Sequence, residues 1–362
     1  MTARSCDCST LTSDPAPDAR ASNALCPGRP PPRVAVCIVG GARTFPQEQA
    51  WRSLKRNLVE GFGGVGLVAA APDVFMHLKL VDDAPKTQRE WKFDALSRGI
   101  DEPLCTAACA FRPVTLALHA NGSHTGPLRP GALTRGCFRS GFFAHTENFM
   151  RAVSQWSSFA ACRESLLAHE ARHGRKYDVV ALTRPDTVWY AGVKPHCLHE
   201  LRETTIVHRG PPRWNSTLEW LLLMPRGHAE SILSTALLFD SCSPGQPCCR
   251  IARSEDLLSF ALGRVGRWRH EPFGVDILRG GQHATMRNAG CMQPETLGFA
   301  SFERCRQVVF GLPAGAPVVA PSKLKHASKS APPLSRPSTA GSTSHHQHHH
   351  HQAARRPPHS GR

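Results

Sequence analysis

Residues 177–190, YDVVALTRPDTVWY, constrain the fold more than any other stretch of the chain. An apolar run from Val179 to Leu182 stops abruptly at Thr183, Arg184, Pro185 and Asp186. A run this short, bounded by charge, Gly and Pro, reads as a strand buried on both faces within a parallel sheet. In open α/β sheets ligands bind beyond the carboxyl ends of the strands, so Arg184 and Asp186, stiffened by Pro185, emerge where chemistry would be. The plainer role for Asp186 is to close the turn after Pro185 and cap local amides.

The flanking sequence supports an α/β arrangement. RVAVCIV, residues 33–39, reads as a first buried strand, and Gly40-Gly41 allows a tight turn before Arg43 and Thr44. Trp51, Leu54 and Leu58 recur at helical spacing, predicting a helix over 47–59. Residues 72–80, with DVFMHLKL, give a second strand that a right-handed crossover sets parallel to the first. Residues 81–141 lack periodicity and read as an irregular insertion with one short helix near 89–98. Apolar residues at steps of three and four predict the longest helix over 146–173, with Gly174 as its C-cap. Strands follow at 204–208 and 218–224, and helices at 227–239 and 254–262. This alternation predicts an α/β domain over residues 33–310. Residues 1–32 read as a disordered leader, and 311–362 as a disordered, basic Pro/Ser/His-rich tail ending near HHQHHHH, residues 345–351.

Composition narrows the function. The net charge is +16, but seven Lys and Arg and no acids lie from Pro313 onward, which leaves +9 on the rest. That balance favours an anionic ligand such as a nucleotide or phosphate, and with no basic stripe interleaved with aromatics, nucleic acid is not expected. No apolar stretch approaches the roughly 20 residues of a membrane helix. Fourteen cysteines and two glycosylation sequons, at Asn121 and Asn215, favour an oxidising lumen, whereas the acids and proline of the first twenty residues show no secretory signal. The expected location is thus a Golgi or secretory lumen if the chain is part of a longer one, and the cytoplasm otherwise. The cysteine spacings do not form zinc knuckles, so disulfides or buried thiols are expected.

VAVCIVGGARTF, DVFMHL, the long helix with Cys162 and Glu170, and KYDVVALTRPDTVWY together resemble a glycosyltransferase-like family, frequent in algae, whose members look like GT-A nucleotide-diphospho-sugar transferases. The resemblance covers about residues 33–305. It implies a GT-A-like, mostly parallel sheet flanked by helices, and transfer of a sugar from a nucleotide-diphosphate donor to an unknown glycan or protein acceptor. By the same resemblance Gly40, Gly41, Arg43 and Thr44 would lie beside the donor nucleotide, Arg226 would face phosphate, and Asp186 would hold a divalent metal, Mn²⁺ or Mg²⁺. The family's usual pair of Asp is here Arg184 and Asp186, and Arg184 offers its own fork of donors to a phosphate. For the proton of the acceptor hydroxyl the candidates are Glu255 and Asp256, which also suit the first turn of a helix behind a Ser254 cap. The alternative reading is a non-catalytic module that binds a nucleotide or glycan on the same fold.

Overall fold

The computed structural model describes residues 6–9, 32–61, 71–80, 99–119, 137–138, 146–189, 191–194, 199, 201–209, 217–242, 245–271 and 273–277. All belong to one compact unit, Met1–Pro317. The tail, the helix expected near 89–98, Tyr190 and the asparagines of both sequons lie outside the described residues.

Strand β1 (Val34–Gly41) has β2 (Asp73–Lys79) parallel on one side and β4 (Val179–Thr183) parallel on the other. β3 (Thr115–His119) extends the sheet parallel to β2. Beyond β4 come β7 (Thr217–Pro225), β6 (Thr205–Arg209) and β8 (Trp268–Glu271), which completes the seven-stranded order β3-β2-β1-β4-β7-β6-β8. A separate ribbon pairs β5 (Thr187–Trp189) antiparallel with β9 (Val275–Ile277). The parallel expectation holds for β1 to β4, but β7 runs antiparallel to both β4 and β6. The seven residues between β6 and β7 explain this, because a parallel return needs a crossover of about a dozen residues or more.

Alternation along the central strands divides the core in two. Ala35, Cys37 and Val39 of β1, with Val180 and Leu182 of β4, face helix α3 (Thr146–His173), α4 (Arg226–Leu233), α5 (Leu238–Ser241) and α6 (Ser254–Val265). Val34, Val36, Ile38, Val179 and Ala181 face the other way, onto α1 (Glu48–Leu54) and α2 (Glu102–Cys109). Every residue of β4 is buried, as the apolar run predicts. Trp156, 1 % exposed, anchors the first layer; burying so large an aromatic stabilises by about 2–3 kcal/mol. α3 spans the predicted residues, and Gly174 follows it at φ +63°, the left-handed conformation its position requires.

The differences from expectation are local. The helix predicted over 47–59 is α1 passing into a π-helical turn, Lys55–Glu60. The insertion contains α2 and β3, and α2 is capped by the Asp101 carboxylate accepting from the Leu104 amide at 3.0 Å. Part of the leader is tethered: Cys6 and Cys8 are bonded to Cys105 and Cys109, which lie one turn apart on α2. Cys37–Cys162 joins β1 to α3, and Cys137–Cys249 and Cys242–Cys248 fix the chain that leads into α6. No described cysteine is free, and no described helix is long and apolar enough to cross a membrane.

Candidate functional site

From β1 the chain first moves one way through the sheet, to β2 and β3, and then returns to the other side of β1 as β4. The carboxyl ends of β1 and β4 therefore flank a topological switch point. Gly40 leaves β1 at φ +131°, and a Cβ built there would stand 3.4 Å from Cδ of Pro185. That close approach brings the Gly40-Gly41 and Arg184-Pro185-Asp186 exits together. The β1 exit is held by Ala42 N–H donating to the Lys79 carbonyl at 2.9 Å, then turns through Phe45 N–H to Ala42 O at 2.9 Å. Fully buried Phe45 packs 5.9 Å from Phe111, leaving half-buried Arg43 and buried Thr44 in the turn before α1.

At the β4 exit Arg184 donates from Nε to Asp186 Oδ1 and from Nη2 to Oδ2, both at 2.8 Å. The Asp186 side chain is 2 % exposed and that of Arg184 21 %. Thr187 Oγ1 donates to the Arg184 carbonyl at 2.9 Å, and Thr183 Oγ1 to the Trp220 carbonyl at 2.8 Å, so the backbone on both sides of the pair is fixed. β5 then continues into the core. Ser53 Oγ accepts from the Trp189 amide at 3.0 Å, Asn57 Nδ2 donates to the Trp189 carbonyl at 2.8 Å, and the indole is buried. Trp189 is thus a core residue.

Asp186 already faces a cation, the Arg184 guanidinium. Both carboxylate oxygens already accept from Arg184, and among the described residues no group of three His, Cys, Asp or Glu side chains comes together to hold a metal ion.

Lys79, at the carboxyl end of β2, is buried and donates from Nζ to the carbonyl and the hydroxyl of Ser154 on α3. Sequence reasoning did not single it out, although a lysine in the apolar run DVFMHLKL was the available signal. Two residues further along α3, Trp156 Nε1 donates to Ser254 Oγ at 3.1 Å. The amino end of α6, with Glu255 and Asp256 in its first turn, therefore stands at the same edge of the sheet as the exits of β1, β2 and β4. Ser254 is not the cap that the sequence suggested: Arg253 occupies that position, and the serine hydroxyl is engaged by the indole. Glu255 is half-buried and Asp256 exposed.

Arg226 is not part of this assembly. Because β7 runs antiparallel, Pro225 pairs with Val179 at the start of β4, and the Arg226 amide donates to the Asp178 carbonyl at 2.9 Å. The side chain lies at the opposite edge, donating from Nε and Nη2 to the two oxygens of Glu170 at 2.8 and 2.7 Å. Burial would raise the Glu170 carboxyl, but the Arg226 bonds, the Tyr177 amide and the Lys176 charge outweigh it and hold the group below its ordinary range. Beside it Tyr177 shares its hydroxyl with Asp73 Oδ2 and His169 Nδ1, both at 2.7 Å. Its ionisation is pushed up by burial and by the Asp73 bond and charge. This edge is a structural clasp of charges closed on one another.

Compared with protein-family models and with curated proteins, the chain matches none.

Proposed function

We propose that the chain binds a nucleotide-diphospho-sugar at the switch point between β1 and β4 and transfers its sugar to an acceptor hydroxyl, on a GT-A-like sheet. The observation that carries this reading is the juxtaposition of the glycine exit of β1 with the Arg184-Pro185-Asp186 exit of β4 at a switch point, the ligand-binding position of open α/β sheets. Arg43, Lys79 and Arg184 stand across the exits of β1, β2 and β4 with Asp186, and Glu255 and Asp256 stand at the same edge, so cations for a diphosphate and acids for an acceptor proton are both at hand. In the transfer the acceptor oxygen bonds to the anomeric carbon as the bond to the diphosphate oxygen breaks. Glu255 or Asp256 takes the hydroxyl proton, and the nucleotide diphosphate leaves with the electron pair. The ten described cysteines, all paired, support a lumenal setting such as the Golgi.

The test is thermal denaturation of the full, oxidised chain with UDP, GDP and CMP, each with Mn²⁺ or with EDTA. A ligand bound only by the native state adds about 2.7 kcal/mol at a hundredfold excess over Kd. A shift with one nucleoside diphosphate is expected; no shift with any nucleotide would overturn the reading. The second reading, binding without turnover, is favoured by the commitment of Asp186 to Arg184. Release of free nucleotide diphosphate from the matching sugar donor separates the two.

A further inference from the structure

We infer that Asp186 is a positioning residue and that Arg184, held by it, supplies the positive charge for the donor diphosphate, so that donor binding is independent of a divalent metal. This rests on the proposed reading of the switch point and deepens it.

Several observations converge. A carboxylate as buried as Asp186 is costly unless paired, and here the pairing is bidentate, with both bonds at 2.8 Å. A metal on Asp186 would have to share the carboxylate with a guanidinium bonded at 2.8 Å to both its oxygens, against like-charge repulsion, or displace Arg184 and leave it without its counter-charge in a largely enclosed position. The pair is two residues apart around Pro185, whose ring restricts the backbone and rests against Gly40, while Thr187 fixes the Arg184 carbonyl. The arginine is therefore pre-organised. Its Nε–Nη2 edge lies on Asp186, which turns the Nη1–Nη2 end of the planar group away from the carboxylate. Of the two side chains Arg184 is the more exposed, so the cation rather than the acid faces outward.

The chemistry is complete without a metal. As the anomeric bond breaks, charge gathers on the diphosphate, and a guanidinium stabilises it by charge-assisted hydrogen bonds without giving up a proton. A metal normally does this work as a Lewis acid. Lysine would not substitute, because it lacks the fork that both grips Asp186 and presents a second edge.

The test is calorimetric titration of the full, oxidised chain with UDP in EDTA and in Mn²⁺, together with a Mn²⁺ titration followed by electron paramagnetic resonance. UDP is expected to bind in EDTA with a Kd within about twofold of that in Mn²⁺, and Mn²⁺ alone to show no stoichiometric site. Arg184→Gln is expected to weaken UDP by ten- to a hundredfold or so, the range for a hydrogen bond to a charged group. Arg184→Lys should fail to restore it. Asp186→Asn should weaken UDP less, with binding still unaffected by EDTA, which a metal-ligating role would not predict. Because Arg184→Gln strands a buried carboxylate, the uncharged double variant Arg184→Gln/Asp186→Asn serves as a second measure, and it too should lose UDP. UDP bound only with Mn²⁺, with Mn²⁺ lost in Asp186→Asn, would overturn the inference and leave the nucleotide reading standing. No binding of UDP, nor of GDP or CMP in the same titrations, under either condition would overturn both.

Discussion

Replacing Arg226 with Met separates the two edges of the sheet. The resemblance to nucleotide-sugar transferases puts Arg226 beside phosphate, whereas its two bonds to Glu170 put it at the far end of β4. The side chains of Arg226 and Glu170 are 11 % and 6 % exposed, so removing the guanidinium leaves a carboxylate buried without its main partner. Breaking a buried pair from one side costs about 3–5 kcal/mol. The contact of Arg226 with half-exposed Glu230 at 3.4 Å adds little. For a domain of this size the loss corresponds to a fall in Tm of roughly 6–20 °C. Replacing both Arg226 and Glu170 with Met should cost less than the Arg226 change alone, since no stranded charge remains, and a double-mutant cycle reads that coupling. The pH dependence has a definite sign. Glu170 is held below its ordinary value, so its contribution is full above the unfolded carboxyl range and is lost as pH falls through the folded value. The penalty of Arg226→Met should therefore shrink in acid. Urea denaturation at pH 7 and pH 4, with UDP titration of the folded variant, measures all of this. A variant as stable as the parent that no longer binds UDP would refute the placement of Arg226.

Gly40→Ala forces a side chain into a positive-φ conformation and against Pro185 at 3.4 Å; a loss of about 1–3 kcal/mol in thermal denaturation is expected, and an unchanged Tm would refute the close approach. Burial, reinforced by the His119 and His270 charges respectively, pushes His77 down to about 4 and His208 down to about 3. Between pH 6.5 and 4 the unfolded chain takes up protons that the folded chain does not, so stability falls with acid by about 1.4 kcal/mol per pH unit for each histidine. His77→Gln should remove one histidine's share of that slope. Under denaturing, non-reducing conditions a thiol reagent should label none of the ten described cysteines, and peptide mapping should recover Cys6 with Cys105 and Cys8 with Cys109. A peptide joining Cys6 to Cys8 would contradict the tether.

The parts of the fold legible in the sequence are those with a long or uninterrupted apolar signal. α3 carries its period through its whole length to Gly174, and β1, β2 and β4 are runs buried on both faces. α2 was hidden by length: eight residues give little period, although Asp101 before Glu102-Pro103 was an available start signal. β5 and β9 are three residues each, and their pairing with one another is tertiary. The site divides on strand direction. The exits of β1 and β4 were legible because both strands run the same way and each ends in residues that stop it. Arg226 was misplaced because LEWLLLMP reads the same in either orientation, and only the short link after β6 sets it antiparallel. Nor does the spacing of Arg184 and Asp186 reveal that they close on each other, since that depends on the side-chain rotamers taken up in the folded turn.

The cysteine pairing bears on how the chain reaches this state during synthesis. The partners of Cys6, Cys8, Cys37 and Cys137 lie 99, 101, 125 and 112 residues downstream, and among the described cysteines only Cys242 pairs locally, six residues on. At about 5–20 residues per second, the first cysteines emerge some 5–20 s before their partners exist. During that interval Cys6, Cys8 and Cys37 have only one another or other wrong thiols within reach, and oxidation then yields bridges that must later be undone. Where the chain is oxidised as it emerges, a disulfide isomerase that undoes such bridges is expected to raise the yield of native protein.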